Sequence, residues 1–172
     1  ELKASTDEAR NQRAVIEEAH RDLTDSIRYS QRIQQAVLPK SDVLREHLPA
    51  HFVIHRPKDI VSGDLLWCAH VDGRTVVAAV DCTGHGVPGA LMSILGNSLL
   101  SAVVHDEREL APAHILEELR GRMITALGAQ GEDALRDGMD IALCVVDRSH
   151  RMLRFAGANN PLYRVRGNEL LE

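Results

Sequence analysis

Two acidic residues, Asp64 and Asp81, bracket a segment that folds back on itself. Between them, Leu65 to Val80 forms two apolar arms joined at Asp72-Gly73, and Asp-Gly is among the strongest two-residue hairpin signals. A loop of those two residues pairs Val71 with Arg74, and the register carried outward sets Asp64 opposite Asp81. Like charges facing each other across a hairpin, with Cβ atoms about 4.5–5.5 Å apart, repel and destabilise the sheet. A cation is therefore expected between them, and a hard divalent ion, Mg²⁺ or Mn²⁺, suits carboxylate and carbonyl oxygens. Asp81 ends the run Val76 to Val80, after which Gly84 and Gly86 bend the chain. That bend exposes both the Asp81 carboxylate and the Cys82 carbonyl; the soft Cys82 thiol matches a hard ion poorly and is read as a space filler. Two ions sharing Asp81 would make a bridging water hydroxide-like and brace a phosphoryl group during in-line displacement. Phosphate-ester hydrolysis is the reaction this pattern suits. His85 stands where it could protonate a leaving oxygen, since imidazole titrates near neutral pH, although a histidine in a glycine turn serves a structural role equally well.

Other groupings carry less chemistry. Gly84 to Gly89 lacks the Gly-Lys-[Ser/Thr] ending of a phosphate-binding P-loop. His47, His51 and His55 would share a helix face and bind zinc, but Pro49 and the strand-like Phe52 to His55 interrupt the helix. Asp133, Asp137 and Asp140 lack calcium-loop spacing and read as a solvated loop with Asp140 at a strand entry.

The elements that must position these groups follow from periodicity. Residues 1–38 contain no Gly or Pro and stop at Pro39, which predicts one helix of about 57 Å at ~1.5 Å per residue. Leu2, Ala9, Ile16, Ala19, Leu23, Ile27, Ile33 and Val37 form its apolar stripe. Most of them fall on a seven-residue repeat, the mark of a coiled-coil seam in a parallel dimer; packing on the chain's own domain is the alternative. Phe52 to His55 reads as a strand, followed by the hairpin. Helices are predicted from Pro88 to about His105 and from Pro112 to Leu127, then a polar loop from Gly128 to Gly138. Strands follow at Met139 to Val146, Met152 to Ala156 and Leu162 to Arg166, with a further hairpin arm after Gly167-Asn168. Strands, two helices and a strand meander indicate an α+β layered domain rather than alternating βαβ units.

The whole chain sets bounds on these readings. Its 172 residues suit one domain plus an extension, and a net charge of −5 with scattered basic residues argues against a nucleic-acid surface. Arg164 and Arg166 read as a solvated strand face. Three cysteines, Cys68, Cys82 and Cys144, odd in number and without a Cys-x-x-Cys pair, fit a reducing cytoplasm. Leu91 to Val104 is interrupted by polar residues and is shorter than the ~20 residues of a membrane span. A start at Glu1 is that of a fragment.

Ser62-Gly63-Asp64, followed by Asp81-Cys82-Thr83-Gly84-His85-Gly86-Val87-Pro88-Gly89-Ala90-Leu91-Met92-Ser93, resembles the SpoIIE-type branch of the metal-dependent PPM protein serine/threonine phosphatases. Asp25 to Pro39, Asp137 to Leu143 and Phe155 to Tyr163 resemble the same branch. The resemblance implies an α/β/β/α sandwich over residues 39–172, with residues 1–38 as a helical linker. It implies metal ligation by Asp64, Asp81 and the carbonyl of residue 82, with Mn²⁺ or Mg²⁺, two ions in the complete domain. It also implies hydrolysis of phosphoserine or phosphothreonine on a bacterial regulatory protein such as an anti-sigma-factor antagonist, under an upstream sensor or receiver domain. Two further metal aspartates of the family, in a Thr-Asp-Gly strand and a late Asp-Asp strand, have no counterpart before Glu172, so a C-terminally incomplete domain is expected. The rival expectation is a non-catalytic dimeric interaction module.

Overall fold

The computed structural model describes residues 2–38, 42–128 and 137–171. A long helix α1 (Leu2–Val37) and a short α2 (Asp42–His47) precede the hairpin strands β1 (Leu65–Val71) and β2 (Arg74–Cys82). Helices α3 (Gly86–Ser101) and α4 (Pro112–Ala126) follow, then β3 (Met139–Asp147) and β4 (Met152–Ala158). A small ribbon of β5 (Arg164–Arg166) and β6 (Glu169–Leu171) completes the described chain. The side chains of Leu2 and Ala9, Pro39, Asp133 with most of the 128–138 loop, and Glu172 lie outside the described residues.

The hairpin has the register its turn demands. Asp72 and Gly73 both adopt positive φ, 49° and 75°, as a type I′ turn requires to match the right-handed twist of its strands. Val71 pairs with Arg74 and Leu65 with Val80. β2 is a central strand, flanked by β1 and β3 in the order β1-β2-β3-β4, all antiparallel.

Alternation gives this sheet one dry face. Leu65, Trp67, Ala69 and Val71 of β1, Val76, Ala78 and Val80 of β2, and Ile141, Leu143 and Val145 of β3 are buried in one cluster. Met92 and Leu100 of α3 and Ile115, Leu119 and Met123 of α4 close over them. The α3 helix continues into a wider π-type turn, Ala102–Asp106, where Glu107 N–H donates to the Ala102 carbonyl and Val103 and Val104 are buried. Gly86–Asp106 is long and apolar enough, by length and composition, to cross a membrane. Half of its most apolar window is buried here, and core helices meet the same criterion. On the other side of β1, α2 buries Leu44 and stacks the His47 ring on His70 at 3.6 Å.

The α+β layering agrees with the sequence reading, with one α/β half of the expected sandwich in place. Among the described residues β5 and β6 form a separate two-stranded ribbon, on which Arg164 and Arg166 are exposed. Phe52 to His55, predicted as a strand, is not one: among the described residues it has no ladder partner, and Phe52 and Ile54 are 86% and 76% exposed. Strand propensity expresses itself through neighbours, and this run has none to pair with.

Candidate metal centre

The outward end of the hairpin carries the acids. Asp64 immediately precedes β1 and Asp81 is the penultimate residue of β2, so the observed register places them across from each other. Burial and the closeness of the two carboxyl groups raise the Asp81 carboxyl above the usual carboxylate range. Burial is the first cause, followed by the Asp64 charge, the hydrogen bond to Asp64 and the charge of Asp140. A divalent cation between them would relieve that repulsion, so the donor set fits a hard ion.

Glycine packing brings a third oxygen alongside. Gly84 and Gly86 adopt positive φ of 89° and 64°, folding the turn after β2 against the loop before β1. A Cβ on Gly63 would meet the Gly84 carbonyl at 2.9 Å and the Cys82 carbonyl at 3.0 Å; one on Gly89 would meet the Gly84 carbonyl at 2.6 Å. Only glycine permits that approach. The Cys82 side chain is buried in the opposite direction, and burial together with the two aspartates pushes its thiol up to about 12. It stays protonated and unavailable as a thiolate.

The loop bearing Asp64 is held from α1. Gln34 is buried, its amide donating to the Ser62 carbonyl (2.6 Å) and the Ser93 hydroxyl (2.8 Å) and accepting from the Ser62 N–H (3.3 Å). The Ser62 hydroxyl in turn accepts from the Asp64 N–H at 3.0 Å. One glutamine thus links the linker helix, the acid-bearing loop and α3. The sequence reading passed over it, because Gln31, Gln34 and Gln35 look alike on a polar helix face; the similarity of residues 25–39 to the SpoIIE-type branch was the available signal.

Asp140 needs correction. It does enter a strand, as read, but it is not merely a solvated loop residue: it pairs with Asp81 in the β2–β3 ladder, and its Oδ1 accepts from Asn159 Nδ2 at 2.8 Å. Three aspartates therefore lie at one level across three adjacent chain segments. Even so, among the described residues no three His, Cys, Asp or Glu side chains converge closely enough to enclose an ion. His85 caps the start of α3 without using its side chain as a cap; its Nδ1 lies 2.8 Å from Asp59 Oδ2. His47, His51 and His55 do not gather: His47 stacks on His70, His51 meets the Leu48 carbonyl and His55 lies 3.4 Å from the Ser62 hydroxyl. An apolar groove of about 650 Å³ between α4 and β3–β4, lined by Leu116, Met123 and Ile141, includes neither Asp64 nor Asp81.

A family model described as Stage II sporulation protein E (SpoIIE) matches residues 71–171, more than half of the chain. The chain belongs to the SpoIIE family. Among solved structures it is similar to the SiaA-PP2C domain of Pseudomonas aeruginosa, with a TM-score of 0.73 and 38% identity over 84% of this chain. The chain spans 57% of that domain's length. No curated protein matches. The long helix, antiparallel sheet and packed helices of this SpoIIE-family chain are thus those of a PP2C-like α+β fold, seen in part.

Proposed function

We propose that this SpoIIE-family chain belongs to a metal-dependent phosphatase that removes phosphate from phosphoserine or phosphothreonine on a protein. The observation that carries the reading is the hairpin register that sets Asp64 across from Asp81, two like groups whose proximity helps drive the Asp81 carboxyl up. Asp64, Asp81 and the carbonyl of Cys82 would hold Mn²⁺ or Mg²⁺. Bound there, the ion supplies Lewis-acid stabilisation of the phosphoryl group and an activated water. The chain's own part is to hold these oxygens rigidly. The type I′ turn sets the register of the acids, the Gly63, Gly84 and Gly89 backbones press the turn onto the loop, and Gln34 fixes Ser62. The Cys82 thiol, buried and protonated, keeps a softer donor out of the set.

Family resemblance supports a bacterial, cytoplasmic setting, a substrate such as an anti-sigma-factor antagonist, and control from an upstream sensor or receiver domain. Homodimerisation through α1 is supported by its exposed apolar residues Val15, Ile16 and Leu23. A non-catalytic interaction module is the second reading, favoured by the lack of three converging ligands among the described residues. Hydrolysis of p-nitrophenyl phosphate by residues 1–172 and by a longer natural form, titrated with Mn²⁺ and then EDTA, separates the two. Turnover in either form that is lost on chelation supports the phosphatase. Folded protein with no metal-dependent turnover in both leaves the interaction module.

A further inference from the structure

The two segments that carry the acids also carry a histidine–carboxylate pair that the metal reading does not use. Asp59 lies upstream of Asp64 in the same non-repetitive loop, and His85 lies downstream of Asp81 in the same glycine turn. His85 Nδ1 and Asp59 Oδ2 are 2.8 Å apart. Asp59 comes from a loop anchored by buried Val61 and by Ser62 in the grip of Gln34. His85 is in extended conformation at the α3 N-cap, and that cap position does not employ its side chain. Asp59 Oδ2 also packs beside Gly86, which adopts φ 64°; a Cβ there would lie 3.6 Å from it, an ordinary contact. Among the described residues His85 Nε2 has no hydrogen-bond partner. Both side chains are exposed, His85 by 69% and Asp59 by 41%, and an exposed pair of this kind adds little to fold stability. An arrangement with little structural value, built from the two acid-bearing segments, calls for another role.

We propose that Asp59 is a positioning residue that accepts from His85 Nδ1–H and holds the ring, so that the imidazolium gives its Nε2 proton to the leaving serine or threonine oxygen. This rests on the phosphatase reading above. A carboxylate on Nδ1 keeps a proton there and aims Nε2, so the ring that has given up its Nε2 proton is left as the neutral Nδ1–H tautomer, as in other carboxylate–histidine pairs. In the step, the water oxygen bonds to phosphorus as the bond from phosphorus to the seryl oxygen breaks. The electron pair stays on that oxygen, which takes the proton from His85 Nε2. The proton released by the attacking water passes to solvent, and solvent reprotonates the imidazole. An alkoxide needs that proton to leave, whereas p-nitrophenolate departs without one. The pair therefore matters for one class of ester and much less for the other.

The test compares a phosphoserine peptide with p-nitrophenyl phosphate, using the longer natural form, Mn²⁺-loaded, as wild type and with Asp59→Asn, Asp59→Glu or His85→Gln. Loss of proton donation costs roughly 100-fold in kcat, so His85→Gln should lose about that much on the peptide and Asp59→Asn at least tenfold. In both variants the loss on the peptide should exceed the loss on p-nitrophenyl phosphate by at least tenfold, and Asp59→Glu should restore most of the peptide activity. Imidazole ¹⁵N NMR of metal-free protein gives a separate readout: neutral His85 should carry its proton on Nδ1 in wild type and shift toward the Nε2–H tautomer in Asp59→Asn. Equal losses on both substrates, no loss on either, or an unchanged tautomer would overturn the proposal. Wild type inert on both substrates would instead fail the phosphatase reading, and the donor role with it.

Discussion

The two ends of the central sheet each carry an aspartate at a strand end, and the chain treats them in opposite ways. Asp147, at the end of β3, accepts from the Ser149 hydroxyl (2.6 Å), the His150 N–H (3.0 Å) and Arg74 (3.3 Å). The Ser149 hydroxyl leads, with His150 and Arg74, in holding its carboxyl far below the usual carboxylate range. Asp81, near the end of β2, meets Asp64 and Asp140 instead, and its carboxyl is driven up. Asp147 is given donors, whereas Asp81 is given other aspartates, which under the metal proposal a cation would satisfy. The contrast teaches that the direction of a shift, read with its cause, separates the two roles more sharply than residue type does.

The comparison breaks most visibly at Asp81. Asp81→Asn should lower metal-dependent phosphatase turnover by about 1000-fold, since metal charge stabilisation is worth several kcal/mol. The same variant should leave the metal-free melting temperature unchanged or raised, because a like charge has gone; differential scanning fluorimetry with and without Mn²⁺ checks both parts. A metal-induced rise in Tm that survives the substitution would remove Asp81 from the site.

Gln34→Leu should have the next largest effect. It strands the buried Ser62 N–H, a cost of about 1–3 kcal/mol, leaves the Ser62 carbonyl with the Ser93 hydroxyl alone (3.3 Å), and frees the loop that positions Asp64. Loss of an outer-shell partner lowers metal affinity or activity by about 10–100-fold. Denaturant unfolding together with Mn²⁺ titration would detect the two losses, and stability lost with unchanged Mn²⁺ affinity would confine Gln34 to packing.

The smallest effect belongs to the opposite end. Asp147→Asn should lower Tm modestly at pH 7 without touching metal response. Because the folded carboxyl of Asp147 is depressed, its stabilisation is fully present above the unfolded value of about 3.9 and is lost as pH falls below that toward the folded value. Wild type and variant should therefore converge in Tm under acid conditions. A gap that persists unchanged to low pH would mean the carboxylate charge is not what stabilises the turn.

Much of this contrast was legible in the residues. Asp72-Gly73 is turn chemistry that acts over two residues, so the register of the acids could be read directly and the ladder agrees with it. Helices α3 and α4 were equally accessible, because proline and apolar periodicity are local signals. What escaped was non-local. The roles of Gln34, Asp59 and Asp140 depend on Ser62, His85 and Asp81, partners brought close only by the tertiary fold. Phe52 to His55 failed for the same reason in reverse: its residues favour a strand, and a strand needs a neighbour that local pattern cannot supply.

The type I′ turn also has a consequence in time. Hairpins of this kind close in about 1–10 μs, and β1–β2 joins residues close in sequence, whereas the Gln34 clamp closes a span of 28 residues to Ser62 and 59 to Ser93. Loop-closure entropy puts the distant contact later. During folding, then, the chain meets its own electrostatic penalty first and acquires the brace that holds it in place only afterwards. In that interval the nascent hairpin is a loosely held pair of acids, and dissolved divalent ions or protons are the partners at hand to quiet it.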